Sequence, residues 1–390
     1  MKRVYMDHAS ATPVRKQVMQ VMLPYFEEHF GNPSTVYDIG SEIKEVLEEQ
    51  RSKVAGLIGA RRGEIIFTSS GAEANNLAVK GVALSRQKKG KHIIISAIEH
   101  HSILNSARFL ERMDLEVTFL PVDEYGLVEP ERLSRSMTPE TILVSIMHAN
   151  NEIGTIEPIS ELSSICREKG AIFHTDAVAT VGNIPVDVNE LNVDLLSLSG
   201  VSLGAPKGVG ALYSRDNLGL MPLIHGGIQE GGRRAGTENV PAIVGLGKAS
   251  ELAVKELPDK TNNLRELRDL LVSGTHERIE HIKHTGHPDK RLPGHASFCI
   301  EAIEGEAILL MLNEEGIYAN TGSACASKVL KTSPVLVAIK IPPDLAQGSV
   351  VFTMNGSNRT EEIEYVLGKL SFAVERLRSF SPLWRKKTAA

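Results

Sequence analysis

Residues 67–76 read FTSSGAEANN, and the folding of this stretch sets the architecture of the chain. Phe67 and Thr68 end an apolar run of strand length, EIIFTS. After Ser69 and Ser70, the segment GAEANNLAVKGVALSRQ spaces its apolar residues three and four apart, as a helix does. A buried strand running into a helix through small residues is the start of an α/β unit. Such a turn also presents the free N–H groups of a helix N-terminus with little side-chain bulk around them, which suits a phosphate-sized anion. Small residues at this place serve a plain turn equally well.

Working outward, the alternation continues. KHIIISA, LEVTFLPV, TILVSIM, AIFHTDA, DLLSLS and GVGALYS are further strand-length runs. Several are β-branched and apolar throughout, as strands covered on both faces are. ISELSSICREKG and the earlier VRKQVMQVMLPYFEEHF carry helical spacing and would cover the sheet. The expected class is α/β with a mainly parallel sheet. Around ELPDKTNN (256–263) the pattern breaks, and a charged helix, LRELRDLLVSGTHERI, follows. The remaining chain runs as strands and helices to EEIEYVLGKLSFAVERLRSF. At 390 residues the chain exceeds one compact core. We therefore expect a large α/β domain over 15–258 and a smaller α+β domain formed by 1–14 and 259–390.

With 43 basic and 48 acidic residues the formal charge is −5, which gives no reason to expect a nucleic acid or an acidic membrane as partner. The N-terminal MKRVYMDHASATPV has no signal-like apolar run, and no stretch approaches the roughly 18 apolar residues of a membrane span. A cytoplasmic location is the expectation. Cys166, Cys299 and Cys325 are far apart and form no CxxC pair, so neither a disulfide framework nor a cysteine-only zinc site is signalled. Cys166 and Cys299 sit in apolar elements. Cys325, in NTGSACASK (320–328), is surrounded by small residues and is the candidate reactive thiol.

Strand C-termini in an open α/β sheet face the ligand crevice. Four of them carry polar groups here: Ser70 and Gly71, His100 or His101 in AIEHHSI, Asn150 and Asn151 in HANNEIGT, and Asp176 in FHTDAVATVG. A carboxylate among apolar neighbours needs a cationic or protonated partner, such as a heterocyclic nitrogen of a cofactor. The other reading of Asp176 is a helix N-cap, which Asp often forms. The histidines are either stacking groups for an aromatic ligand or surface residues. A further turn, SLSGVSLGAPKGVGALY (197–213), reads as strand, glycine-rich turn and strand, a platform for a reactive side chain.

Together YMDHASATPV, FGNPSTVYDIG, FTSSGAEANNLAVKG, HANNEIGTIEPI, HTDAVATVGNIPVDV, GGIQEGGRRAGTENVPAIVG and TGSACAS resemble the cysteine desulfurases of the NifS/IscS type, in order and spacing. These are pyridoxal 5'-phosphate (PLP) enzymes of aminotransferase-like fold. The resemblance implies that Ser70, Gly71, Ala72 and Ser199 hold the cofactor phosphate, with Thr237 reaching in from the second subunit of a homodimer. It implies that His100 stacks on the pyridine ring, Asp176 pairs its nitrogen, Asn151 lies near the substrate L-cysteine, and Cys325 carries the sulfur as a persulfide. The implied protein partner is an iron–sulfur scaffold of the IscU type.

The departures fall in the same pocket. Where the family has Ser-Gly-His-Lys this chain has Ser199-Gly200-Val201-Ser202, so the lysine that bonds PLP is replaced by Ser202. A hydroxyl forms no imine with an aldehyde, so any PLP is held noncovalently. A family glutamine is Ala179, a family threonine is Ala72, and the substrate-binding arginine falls at Gly356, with Arg359 three residues on as the nearby candidate replacement. Lys207 matches a second, structural lysine of the pattern. The reading that follows is a desulfurase-like protein of sulfur transfer or iron–sulfur cluster assembly, with ordinary PLP–lysine catalysis lost. Cys325 would then be a persulfide carrier or an iron ligand to a cluster shared with a partner. The alternatives are an active desulfurase using noncovalent PLP and a protein with a different small-molecule ligand.

Overall fold

The computed structural model describes residues 3–215, 218–322 and 333–388. The chain opens with β1 (Val4–Tyr5) and then forms β2 (Ile65–Thr68), β3 (His92–Ser96), β4 (Glu116–Leu120), β5 (Thr141–Ser145), β6 (Ile172–Asp176), β7 (Leu195–Ser199) and β8 (Gly210–Ser214). The last seven make one sheet in the order β2-β8-β7-β6-β5-β3-β4. Only β8 runs antiparallel to its neighbours, β2 and β7; the other pairs are parallel. Every residue of β2, β3 and β5–β8 is buried, the polar His174 of β6 included, whose ring bonds Ser145 Oγ and Ser197 Oγ. β4 lies at the edge, with Glu116 exposed. This is an α/β architecture with a mainly parallel sheet, as expected.

Helix Gly71–Arg86 begins directly at the end of β2. Ser70 caps it, its Oγ accepting from Glu73 N–H at 3.1 Å, a bond typically worth about 1 kcal/mol. Ala74, Leu77, Ala78 and Val82 bury one face of that helix with Ile66, Ile93 and Leu212 of the sheet. Between β7 and β8 the chain makes one short helical turn, Gly200–Leu203, closed by Gly204 in the left-handed conformation (φ 74°).

A second core gathers around β9 (Ile282–His284), β10 (His295–Ile300) and β12 (Ser349–Thr353), an antiparallel sheet in the order β12-β10-β9; β11 (Ile317–Tyr318) pairs in parallel with β1. Val4 and Met6 pack here with Leu264, Phe298, Phe352 and Leu367.

The expected break at 256–263 does not occur. One helix, Val240–Arg278, continues through Pro258. A proline inside a helix costs about 3 kcal/mol. Here the helix is anchored in both cores, by Ile243, Val244 and Leu246 in the first and Leu264, Leu267 and Leu271 in the second. ELPDKTNN is polar because Glu256, Asp259, Lys260 and Asn263 line a cavity, not because the helix ends. Among the described residues no helix is long and apolar enough to cross a membrane.

Candidate functional site

A cavity of about 970 Å³ opens at the C-terminal ends of the central strands, where the connections after β2, β3, β5, β6 and β7 converge. Ser70, Gly71 and Ala72 from the start of helix Gly71–Arg86 line it, as do His100, Asn151, Asp176, Ser199 and Ser202. Thr237 is exposed and is not among the lining residues of its own chain. Cys325 lies outside the described residues.

Gly71 is required by a close approach. A Cβ there would stand 2.7 Å from Val178 Cγ2 and 3.3 Å from Ser199 Cβ. The missing side chain brings the first N–H groups of the helix, which have no intrahelical acceptor, beside the end of β7. Ser69 and Arg234 flank the turn, both bonded to Glu73; Arg234 Nε donates to Glu73 Oε1 at 2.9 Å.

Asp176 ends β6 at 5% exposure. Its Oδ1 accepts from Val178 N–H at 3.0 Å and its Oδ2 from Asn75 Nδ2 at 2.7 Å. Burial holds its carboxyl above the ordinary carboxylate value, and the bonds from Val178 and Asn75 counter this only in part. Asp176 therefore closes a turn, not the helix N-terminus of the other reading, since no helix starts there, and it lines the cavity. Among the described residues His100 is the cationic neighbour that favours the carboxylate, and a protonated ring nitrogen of a ligand is a further partner of the kind a buried carboxyl takes.

His100 precedes helix His101–Glu111, and its Nδ1 accepts from Ser102 N–H at 3.2 Å; His101 is not a lining residue. The two asparagines divide in the same way. Asn150 is structural, its Oδ1 accepting from Glu152 and Ile153 N–H at 2.8 and 3.0 Å, whereas Asn151 faces the cavity.

Ser202 sits on the turn after β7, with Oγ donating to Ser199 O at 2.9 Å. Thr12 Oγ1 donates to Val201 O, tying the N-terminal segment to this turn. The residues thus suit a phosphorylated heterocycle, through the Gly71 cradle and Asp176, but Ser202 offers it no amine. Lys207 is exposed and outside the cavity. Arg359 is exposed as well and does not line it. The candidate compensation by Arg359 for Gly356 is therefore corrected: the backbone at Arg359 caps helix Thr360–Phe380, its N–H bonded to Glu362 Oε2 at 3.1 Å.

Sequence reasoning missed several lining groups. Asn75 was within reach of it, since it stands one helical turn beyond Gly71 and so on the same face. Asn183 follows Asp176 by seven residues, whereas His8, Lys260 and His295 come from distant segments. His295 Nε2 bonds Asn151 O at 3.0 Å. Burial, with Lys260 second, lowers His8 to about 4.

Cys166 and Cys299 are buried, and burial pushes both thiols up to about 12. Among the described residues no group of three or more His, Cys, Asp or Glu side chains is arranged to hold a metal. The iron–sulfur expectation rests on Cys325 alone.

The aminotransferase class-V family model matches residues 4–366. The chain is 51% identical over 383 residues to cysteine desulfurase IscS of Dictyoglomus turgidum, covering 98% of this chain and 97% of that protein. It is 50% identical over 386 residues to cysteine desulfurase IscS of Methanosarcina thermophila, covering 99% and 95% respectively. Among solved structures, a NifS-like protein superposes with a TM-score of 0.91 at 36% identity, over 96% of this chain and 100% of that one. With this agreement in sequence and in three dimensions, the chain belongs to the class-V aminotransferase family, as a homologue of its IscS and NifS cysteine desulfurases.

Proposed function

We propose that this chain is a desulfurase-type protein of sulfur transfer and iron–sulfur cluster assembly that has lost ordinary PLP–lysine catalysis. The observation that carries the reading is Ser202. The cavity keeps its cradle at Gly71 and its buried acid at Asp176, while the turn that would supply an amine supplies a hydroxyl bonded to Ser199 O.

PLP, when bound, withdraws electrons from an attached amino-acid carbon. Ser70, Gly71, Ala72 and Ser199 would hold its phosphate, with Thr237 completing that site from the second subunit of a homodimer. His100 would lie against the ring, Asp176 would pair the ring nitrogen, and Asn151 would contact L-cysteine. With no lysine at 202, no amine there moves a proton to or from the substrate. Cys325 remains as persulfide carrier or, with ligands from an IscU-type scaffold, as one thiolate of a shared cluster. We assign the protein to the cytoplasm, where thiols stay reduced.

The test is sulfide release from L-cysteine with added PLP. The proposal expects no more than a trace; robust release that Cys325→Ala abolishes would show an active enzyme using noncovalent PLP and would sink the reading.

A further inference from the structure

Lys260 projects into the cavity from the middle of helix Val240–Arg278. Its Nζ donates to Gly182 O at 2.7 Å and to Asn183 Oδ1 at 2.8 Å, both neutral acceptors. An ammonium has three N–H donors, so one remains. No ion pair of Lys260 is found among the described residues.

The charged groups around it do not neutralise it. Glu256 favours the ammonium but is itself paired with Arg15 at 2.5 Å, Arg15 repels the ammonium by more than Glu256 attracts it, and Lys255 and Asp259 of the same helix also line the cavity. His8 faces it from the N-terminal segment and is disfavoured as a cation by it. A largely enclosed cation without a counter-ion is costly, and an anionic ligand group would relieve that cost. Burial, with Arg15 second, lowers Lys260 to about 8, so the ammonium form still prevails at neutral pH.

The position is informative as well. A Cβ on Gly356 would stand 3.5 Å from Lys260 Cγ, so the lysine stem occupies the space into which a side chain at 356 would grow. The cavity therefore has two places for negative charge: the helix N-terminus at Gly71 and the ammonium of Lys260.

We propose that Lys260 receives the α-carboxylate of an amino-acid ligand in this cavity, a binding role moved from the loop at Gly356 to the long helix. The proposal rests on the reading of the cavity as a PLP and amino-acid site. It is a salt-bridging contact, and no covalent step is involved.

The experiment is calorimetric titration of the full-length protein with L-serine, a thiol-free analogue of cysteine, and with L-serinamide, which lacks the carboxylate. Each is run with and without saturating PLP, on wild type, Lys260→Met and Lys260→Arg. Loss of one charge-assisted contact weakens binding about tenfold to a hundredfold. Lys260→Met should lose that much affinity for L-serine and none for L-serinamide, Lys260→Arg should keep most of it, and PLP affinity should not change. L-serine binding that is unaffected by Lys260→Met, or reduced in parallel with L-serinamide, overturns the assignment. Lys260-dependent serine binding without any PLP binding supports the assignment and sinks the cofactor reading; binding of neither ligand overturns both.

Discussion

The Gly71 cradle gives the most exacting test of where a phosphate would sit. Gly71→Ala places a methyl 2.7 Å from Val178 Cγ2 and 3.3 Å from Ser199 Cβ. Carbon atoms in contact prefer about 3.5–4.0 Å, so the turn must open by close to an ångström or the valine must move. Overpacking of this kind costs about 1–3 kcal/mol of stability. The same shift moves the first N–H groups of helix Gly71–Arg86 away from Ser199. Losing one charge-assisted hydrogen bond to a phosphate costs about 1.5–3 kcal/mol, which is about tenfold to a hundredfold in affinity. The control is Gly56→Ala in helix Asp38–Leu57, where a Cβ meets nothing within 4 Å. That variant should gain up to about 1 kcal/mol from helix propensity and bind PLP as wild type does. The assays are urea unfolding and equilibrium dialysis against PLP. If Gly71→Ala binds PLP within twofold of wild type and unfolds at the same urea concentration, the cradle is not the phosphate site and the reasoning fails.

Two further outcomes follow from named residues. Ser202→Lys restores an amine on the β7–β8 turn; with PLP it should develop a visible absorption band and a borohydride-stable adduct mapping to position 202, and a colourless variant would remove Ser202 from the cofactor's vicinity. Glu157 concerns stability against pH. Its Oε2 accepts from Val128 N–H at 2.9 Å, its Oε1 has no partner among the described residues, and burial raises it to about 8 from 4.5. A folded-state value above the unfolded one means that the stability is fully present below about 4.5 and is lost as pH rises through about 8. Glu157→Gln keeps the acceptor and removes the titration, so its stability should gain on wild type by up to about 1.4 kcal/mol per pH unit across that window. Urea unfolding at pH 5, 6.5 and 8 measures this, and parallel curves for the two proteins would refute it.

Much of the architecture was legible along the chain. All seven strands of the main sheet were readable as strand-length, largely apolar runs, a local property; six of them are buried throughout and only the edge strand β4 is not. The turn after EIIFTS was readable because a helix that starts at once needs a cap and small residues, and Ser70 and Gly71 supply them. Ser202 stood out only against the pattern of the family that the chain resembles, which has a lysine at that place; that a hydroxyl forms no imine is then plain chemistry. Cys166 and Cys299 were recognisable as core thiols from their apolar settings.

Other features depended on tertiary structure. ELPDKTNN reads as a break because polarity along a sequence does not say whether the polar face meets solvent at a helix end or lines a cavity beside a continuing helix. Anchoring at Ile243 and Leu246 on one side and Leu264 and Leu271 on the other carries the helix through Pro258. Arg359 looked like a replacement for the arginine absent at Gly356 because it is three residues away in sequence. The fold turns it outward and brings Lys260 in, since which cation reaches a cavity is decided by the packing of elements far apart in the chain. The sequence by itself determined which strands form and that a hydroxyl stands at 202; the tertiary structure decided which distant side chains, His8, Lys260 and His295 among them, share that space, because the packing of elements far apart in the chain brings them there.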